Sequence, residues 1–341
     1  MKTAVLLGAG ASRAFGYPLT YELLPRILGA IDHRQLFRTA NTARQNARDR
    51  AWFARRLRAF FPGLDALWSG GGDPAVPGIG VTDLLTQVDR ALQLSESRAG
   101  MTPEDLVRFR HLVERAIYEA LLHDTQRRQA GPQAQLERFM AWLTTLPSPA
   151  GVMTTNYDSA VDRRLHEAVG RRDKRRWDAR IGAGIDFGFA WRSVETGDLH
   201  MRPARPQWRL LKLHGSVNWL RCSLCGQIYL NPHGAIGSQA FRQELNEWNT
   251  CICNDWARLR LHLVTPSFVR QTNDAHLLGI WQAALETLRT ADRWVIVGFS
   301  LPAEDVAIRA LLLRAWDGHA RRAKPKVVAV QYVDPAKGKS P

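Results

Sequence analysis

The sequence predicts an α/β protein, built on a mostly parallel sheet with helices on both faces. Three observations lead there. Short apolar runs of the strand kind alternate with segments of helical periodicity, the pattern that builds parallel sheets. Several of these runs end in polar or glycine-rich residues, as strands do at the ligand-facing edge of an open parallel sheet. A chain of 341 residues, 45% hydrophobic, is also long enough for a sizeable core, burying roughly three quarters of its unfolded surface.

Thr3 to Leu7 reads as a buried strand. It runs into Gly8-Ala9-Gly10-Ala11-Ser12-Arg13, where the glycines let a backbone approach a pyrophosphate. A helix starting near Arg13 would present free N–H groups to the anion. An export signal is the competing reading: Lys2 as the positive end, Ala4 to Leu7 as the apolar stretch, Ala9-Gly10-Ala11 as a cleavage site. That apolar stretch is short of the roughly 7–15 residues such a signal needs. The turn is not the full dinucleotide fingerprint, because Arg13 stands where the third glycine would fall. Residues 20–60 look helical, so a ribose-binding acid after a second strand has no place. The loop therefore points to a nucleotide, and only weakly to an ordinary dehydrogenase.

Helical signals fill residues 15–146, broken by a glycine- and proline-rich loop at 69–80. That loop is a candidate gate on its glycines alone. Thr102-Pro103-Glu104-Asp105 reads as a helix start, with Thr102 as the N-cap. Further strands are expected at 150–155, 208–213, 261–265, 294–297 and 327–333, and helices at 279–290 and 303–316. The expected organisation is a Rossmann-like domain from 1–20, 147–221 and 260–341, a helical insertion at 21–146, and a small cysteine module at 222–259.

At the strand ends stand Thr155, Asn156 and Asp158, then His214, then Gly298 and Ser300. With the Gly8–Arg13 loop, four motifs from distant parts of the chain would meet in one crevice. Each also has a plainer reading. Asn156 would cap the following helix, and Asp158 would be a first-turn acid. His214 would be a satisfied structural histidine, and Gly298 and Ser300 a turn and a cap.

Cys222, Cys225, Cys251 and Cys253 are the only cysteines. Four of them in a chain this long argue against a disulfide scaffold and for a reducing, cytoplasmic setting. Two close pairs about 25 residues apart suit a tetrahedral zinc site, with His233 or His262 as substitute ligands and a redox pair as the alternative. No apolar run approaches the ~20 residues of a membrane helix. A formal charge of +15, concentrated in arginines at 44–58, 171–180 and 202–209, favours a polyanion such as nucleic acid. Solvated helix faces are the alternative, since no zinc-finger spacing or ribonucleoprotein motif accompanies the charge.

The motifs GAGAS at 8–12, TTNYD at 154–158, KLHG at 212–215, the cysteine module and GFS at 298–300 occur in this order along nearly the whole chain. In this combination the sequence resembles sirtuin-like domains, and most of all the prokaryotic NAD-cleaving proteins of antiviral defence. The resemblance implies NAD lying over Gly8, Ala9, Gly10, Ser12 and Arg13, with Gly298, Ser300 and Asp334 on the dinucleotide. It implies Asn156, with Thr155 and Asp158, at the nicotinamide ribose, His214 as the base, and a structural zinc. It also implies a homo-oligomer, or a partner such as a HerA-like ATPase or an Argonaute-related protein. Two departures bear on the reaction. Tyr17-Pro18 is followed by Leu19-Thr20 rather than an aromatic–arginine pair, and residues 264–270 lack the Phe-Gly-Glu segment that seats an acyl-lysine peptide. Hydrolysis of NAD is thus expected over protein deacylation or ADP-ribosylation, with a non-catalytic NAD or ADP-ribose sensor as a further alternative.

Overall fold

The computed structural model describes residues 1–38, 40–61, 80–126, 130–146, 150–170, 184–232, 236–267, 274–301, 305–319 and 324–331. Residues 69–79 of the candidate gate, His233, Asp334, the arginines at 171–180 and residues 268–270 lie outside them.

The protein is α/β, with a six-stranded parallel sheet at its centre. β1 (Thr3–Leu7) is flanked by β2 (Ala150–Thr154) and by β11 (Arg293–Val297). The sheet is completed by β3 (Ile185–Asp186), β6 (Trp208–Lys212) and β12 (Lys326–Val330), in the order β12-β11-β1-β2-β6-β3. Every residue of β1 is buried. A continuous apolar run is what a strand covered on both faces requires. Helices flank the sheet. α1 (Ala9–Ala14) packs on β1, while α8 (Ala275–Arg289) packs on β2 and β6 and against α9 (Val306–Asp317). The chain leaves β1 toward β2 and leaves β11 toward β12. Their carboxyl ends therefore flank a topological switch point, where open sheets bind ligands.

Between β1 and β2 come α2 (Thr20–Asp32), α3 (Ala43–Phe60), α4 (Val81–Leu94), α5 (Pro103–Gln126) and α6 (Ala130–Leu143). α2 to α5 share a second apolar cluster around Phe53, Leu85, Phe109 and Ile117, which also takes in Val217 and Phe241. Local chemistry sets their starts. Thr42 accepts the Gln45 N–H at 3.3 Å, Asp83 accepts the Gly80 N–H at 2.8 Å, and Thr102 accepts the Asp105 N–H at 3.2 Å, the cap expected from sequence. α7 (Ala160–Gly170) follows β2.

A second sheet, mostly antiparallel, carries the cysteines. It runs β5-β4-β8-β7-β10-β9, with β4 (Trp191–Ser193), β5 (Leu199–His200), β7 (Gly215–Cys222), β8 (Ile228–Leu230), β9 (Thr250–Cys251) and β10 (Asn254–Leu263). The strand expected at 261–265 is the end of β10, paired antiparallel with β7, and so it lies outside the parallel sheet. β10 alternates buried Ala257 and Leu259 with more exposed Trp256, Arg258 and Arg260, the signature of an antiparallel strand with one wet face. Among the described residues, no helix is long and apolar enough to cross a membrane.

Candidate functional site

The helix after β1 begins at Ala9, four residues earlier than expected. Its first turn contains no acid, but its donors are partly committed. Gly10 donates its N–H to the Gly298 carbonyl at 2.8 Å, and Gly8 donates to Val297 at 2.9 Å. The glycines answer to this contact. A Cβ on Gly8 would stand 2.6 Å from the Gly298 oxygen, and one on Gly298 would stand 2.2 Å from the Ala11 nitrogen. Gly298 also has φ of +60°, which favours glycine. The two loops at the switch point thus touch backbone to backbone, and the Gly10 N–H is not available to an anion.

Asn156 reaches across from β2 and donates its amide Nδ2 to the Gly8 carbonyl at 2.8 Å. It does not cap α7. That role falls to Asp158, whose Oδ1 accepts the Ala160 N–H at 3.0 Å. The other Asp158 oxygen accepts the Ser12 hydroxyl. Burial, and then the Asp158 charge, raise the Tyr17 phenol above its ordinary range, so Tyr17 stays neutral beside this carboxylate. Three sequence-expected residues, Ser12, Asn156 and Asp158, are thereby knitted to one another or to the Gly8 turn. Thr155 is buried and donates its N–H to the Leu7 carbonyl at 3.2 Å.

His214 is buried just beyond β6, and its carbonyl accepts the Val264 N–H at 2.9 Å. Its ring neighbours Tyr157 and Trp281, with each centroid 6.4 Å away. Its Nε2 is 3.9 Å from Asp305 Oδ1. At that separation the carboxylate acts on the imidazole through its charge. Asp305 was not singled out from the sequence. It occupies the N-cap position of α9 and makes no capping bond with its side chain, so its pattern in the chain read as an ordinary helix start. Tyr157 and Trp281 were missed for a similar reason, since aromatic residues beside a strand or on a helix usually mean core. Trp281 Nε1 donates to the Leu213 carbonyl at 3.1 Å, next to the histidine.

Arg13 and Ser300 stand apart from this group. Arg13 is exposed and pairs with Glu22 at 3.0 Å, and Ser300 is exposed. An amide, a carboxylate, a hydroxyl and a carboxylate-backed imidazole remain at the ends of adjacent strands, where the crevice of an open parallel sheet binds its ligand. Such a set can orient hydroxyls and accept a proton.

The four cysteines form a second centre. All four sulfurs lie within 4.8 Å of one another, with Cys222–Cys253 at 3.7 Å and Cys225–Cys251 at 3.6 Å. A disulfide needs about 2.05 Å, whereas sulfurs at about 2.3 Å from a tetrahedral zinc lie about 3.8 Å apart. The Leu224 and Cys225 N–H groups donate to Cys222 Sγ at 3.3 and 3.4 Å. Burial pushes that thiol up, but these donors outweigh it and bring it down to about 7. Gly226, at φ of +79°, lets the chain turn away after the second ligand. The donor set fits zinc. His262 is not part of it: it stacks on Trp219 and faces Asp274 at 3.8 Å.

An α/β protein with a polar crevice at its switch point and a four-thiol centre is the class that fold and site define. No protein-family model matches the chain, and no curated protein matches it. Solved structures of Sir2-type proteins do align with it. A structure of Sir2Tm bound to a propionylated peptide is 12% identical, covering 98% of this chain and 82% of that one, with a TM-score of 0.32. A structure from work on the structural basis of sirtuin substrate affinity is 14% identical, covering 97% and 82%, with a TM-score of 0.35. One of Sir2 with a p53 peptide and NAD+ is 13% identical, covering 96% and 80%, with a TM-score of 0.31. At such scores the likeness carries no argument for activity.

Proposed function

We propose that the chain is an NAD+ hydrolase that breaks the nicotinamide–ribose bond to give nicotinamide and ADP-ribose. The observation that carries this reading is the junction of two distant motifs, in which Asn156 bonds the Gly8 turn and Asp158 bonds Ser12. The motif order resembling sirtuin-like domains supports NAD as the ligand. In this reading Gly8, Ala9, Gly10, Ser12, Arg13, Gly298, Ser300 and Asp334 line the dinucleotide, and Thr155 borders the ribose.

Nicotinamide leaves through an oxocarbenium-like transition state, so the protein's contribution is positioning and electrostatics. Asn156 holds the ribose or the attacking water without adding charge. Asp158 places a negative charge beside the developing cation. His214 takes the proton from a ribose hydroxyl or water, and Asp305 stabilises the imidazolium that results. The missing peptide-seating segment leaves water as the acceptor. Zinc held by Cys222, Cys225, Cys251 and Cys253 would staple the small lobe. Because unchecked NAD loss would be lethal to a cell, the activity is held until triggered, by self-association or by an ATPase or Argonaute-related partner in antiviral defence.

The test is incubation of the purified protein with NAD, with and without nucleic acid, following nicotinamide and ADP-ribose by chromatography. Free ADP-ribose is expected. His214→Ala should lose about 100- to 10,000-fold in turnover with its melting temperature unchanged, and Asn156→Ala should fall in the same direction. Label transferred to protein instead of free ADP-ribose would replace hydrolysis by a transferase reading. Absence of NAD binding would remove the proposal altogether.

A further inference from the structure

Beneath the crevice lies a buried polar net that the proposed reaction does not use. Lys212 is the last residue of β6, two positions before His214, and its side chain is 0% exposed. Its ammonium donates to the backbone carbonyl of Asp158 and to Asp162 Oδ2 at 3.0 Å. Asp162, on α7, is itself 2% exposed, and its second oxygen accepts the Asn218 amide at 3.3 Å. Ser216 donates its one hydroxyl proton to Asn218 Oδ1, and its oxygen lies 3.3 Å from the Tyr157 carbonyl. Tyr157 also accepts the Val217 N–H at 2.9 Å. Two successive carbonyls of the 156–158 turn are therefore held from below, one by Lys212 and one by β7.

Stability is a weak reason for a lysine in this place. Burying an ion pair costs several kcal/mol of desolvation, and an apolar pair of similar shape is often at least as stable. What an apolar residue cannot do is donate a hydrogen bond to the Asp158 carbonyl. The residue after β2 that faces Ser12 and the residue after β6 that carries the imidazole are thus tied by one ammonium. Displacements of about 1 Å at such a site cost on the order of 100-fold in rate.

We propose that Lys212 is a positioning residue of the crevice: its ammonium locks the Asn156–Asp158 turn in register with His214. The inference rests on the NAD-cleaving reading for its consequence in turnover, but not for its geometry. Two variants separate its two bonds. Asp162→Asn removes the ion pair and leaves the bond to the Asp158 carbonyl. Lys212→Met/Asp162→Asn removes both charges together and leaves no buried charge unpaired.

Asp162→Asn is expected to keep turnover within about threefold of the parent. The double variant is expected to melt no lower than Asp162→Asn, in which the buried ammonium has lost its carboxylate, yet to lose about 10- to 100-fold in kcat with KM changed less than about threefold. A double variant with the kcat of Asp162→Asn would overturn the proposal. So would equal losses in both variants, because the ion pair rather than the carbonyl bond would then be responsible. Should the parent neither bind nor cleave NAD, the functional reading fails, and crystal structures of the two variants still decide the geometry. Loss of the Ser12–Asp158 and Asn156–Gly8 bonds in the double variant alone supports the positioning role, and their retention defeats it. A double variant that does not fold where Asp162→Asn does would make Lys212 structural, against the proposal.

Discussion

Strand β7 has two very different ends. Gly215 follows His214 at the parallel sheet, and Cys222 begins the four-thiol centre. The first end is held by a large apolar core, by backbone bonds between loops and by a buried ion pair. Around the second, the buried apolar cluster among the described residues is Leu220, Cys222, Tyr229, Ala240, Cys251, Ala257 and Leu259, with Val194, Ile236 and Leu261 partly buried against it. Two of those seven are cysteines of the centre, so the apolar contribution is smaller still. Leu224, Ile252 and Trp256 meanwhile stand exposed. A lobe too small to build its own core needs a staple. The sheet end can be shaped by packing and left to chemistry, whereas the cysteine end depends on what the thiolates bind.

Metal removal is the strongest way to break that contrast. One zinc per chain is expected by elemental analysis, and structural zinc contributes about 10 kcal/mol or more to folding of small zinc peptides. Chelation, or Cys225→Ser, should make the remaining thiols react rapidly with an alkylating reagent and open residues 222–259 to protease. The parallel sheet should persist, with its melting transition retained. If the sheet melts with the lobe, or if the metal-free protein keeps its thiols protected, the two ends do not differ as described.

A substitution at the other end is next in size. Gly298→Ala places a Cβ against the Ala11 backbone nitrogen and requires a left-handed alanine. A loss of more than about 2 kcal/mol in global stability is expected, without change in zinc content or thiol reactivity. Calorimetry and elemental analysis on the same sample check both halves. A mild effect would mean that the loops can part, and that the glycines serve something other than their mutual contact.

How far these features were legible follows from which forces set them. Continuous apolar runs made β1, β2, β6 and β11 readable, because a strand buried on both faces is mostly apolar along its length. The order of motifs brought Ser12, Asn156, Asp158 and His214 to one edge of the sheet. The second sheet was not readable. Four of its strands, β4, β5, β8 and β9, have only two or three residues, and β7 continues almost without break from the histidine just beyond β6. The run at 261–265 matched either sheet, since pairing partners are chosen in space and not along the chain. The reason for the glycines was also hidden. A glycine-rich turn looks the same whether its close neighbour is a phosphate or, as here, another glycine. Asp305 and Lys212 needed the fold, because a carboxylate at a helix start and a lysine at a strand end are ordinary in sequence and become notable only when buried.

A pH titration sharpens the comparison most gently, because it reads the strand that runs between the two ends. His262 lies on β10, half-buried against Trp219 and facing Asp274, which caps α8 and pairs with Arg221 at 2.7 Å. Burial pulls its imidazole down to about 4, and Arg221 and His276 pull the same way, outweighing the opposing charge of Asp274. A histidine depressed in the folded state binds its proton more readily when unfolded. Its contribution is therefore complete above the unfolded value near 6.5 and is lost as pH falls toward 4. From those two values the loss for this one group reaches about 3 kcal/mol. His111, pulled down to about 4 by burial and by Arg260, Arg115, Arg258 and Arg110, titrates in the same window. The melting temperature should accordingly fall between pH 6.5 and 4, and His262→Gln should flatten that fall by roughly half without abolishing it. An unchanged slope in His262→Gln would move the acid sensitivity to His111 and the helical cluster. A slope removed entirely would make the β7–β10 pair, rather than either of its ends, the acid-sensitive element of the molecule.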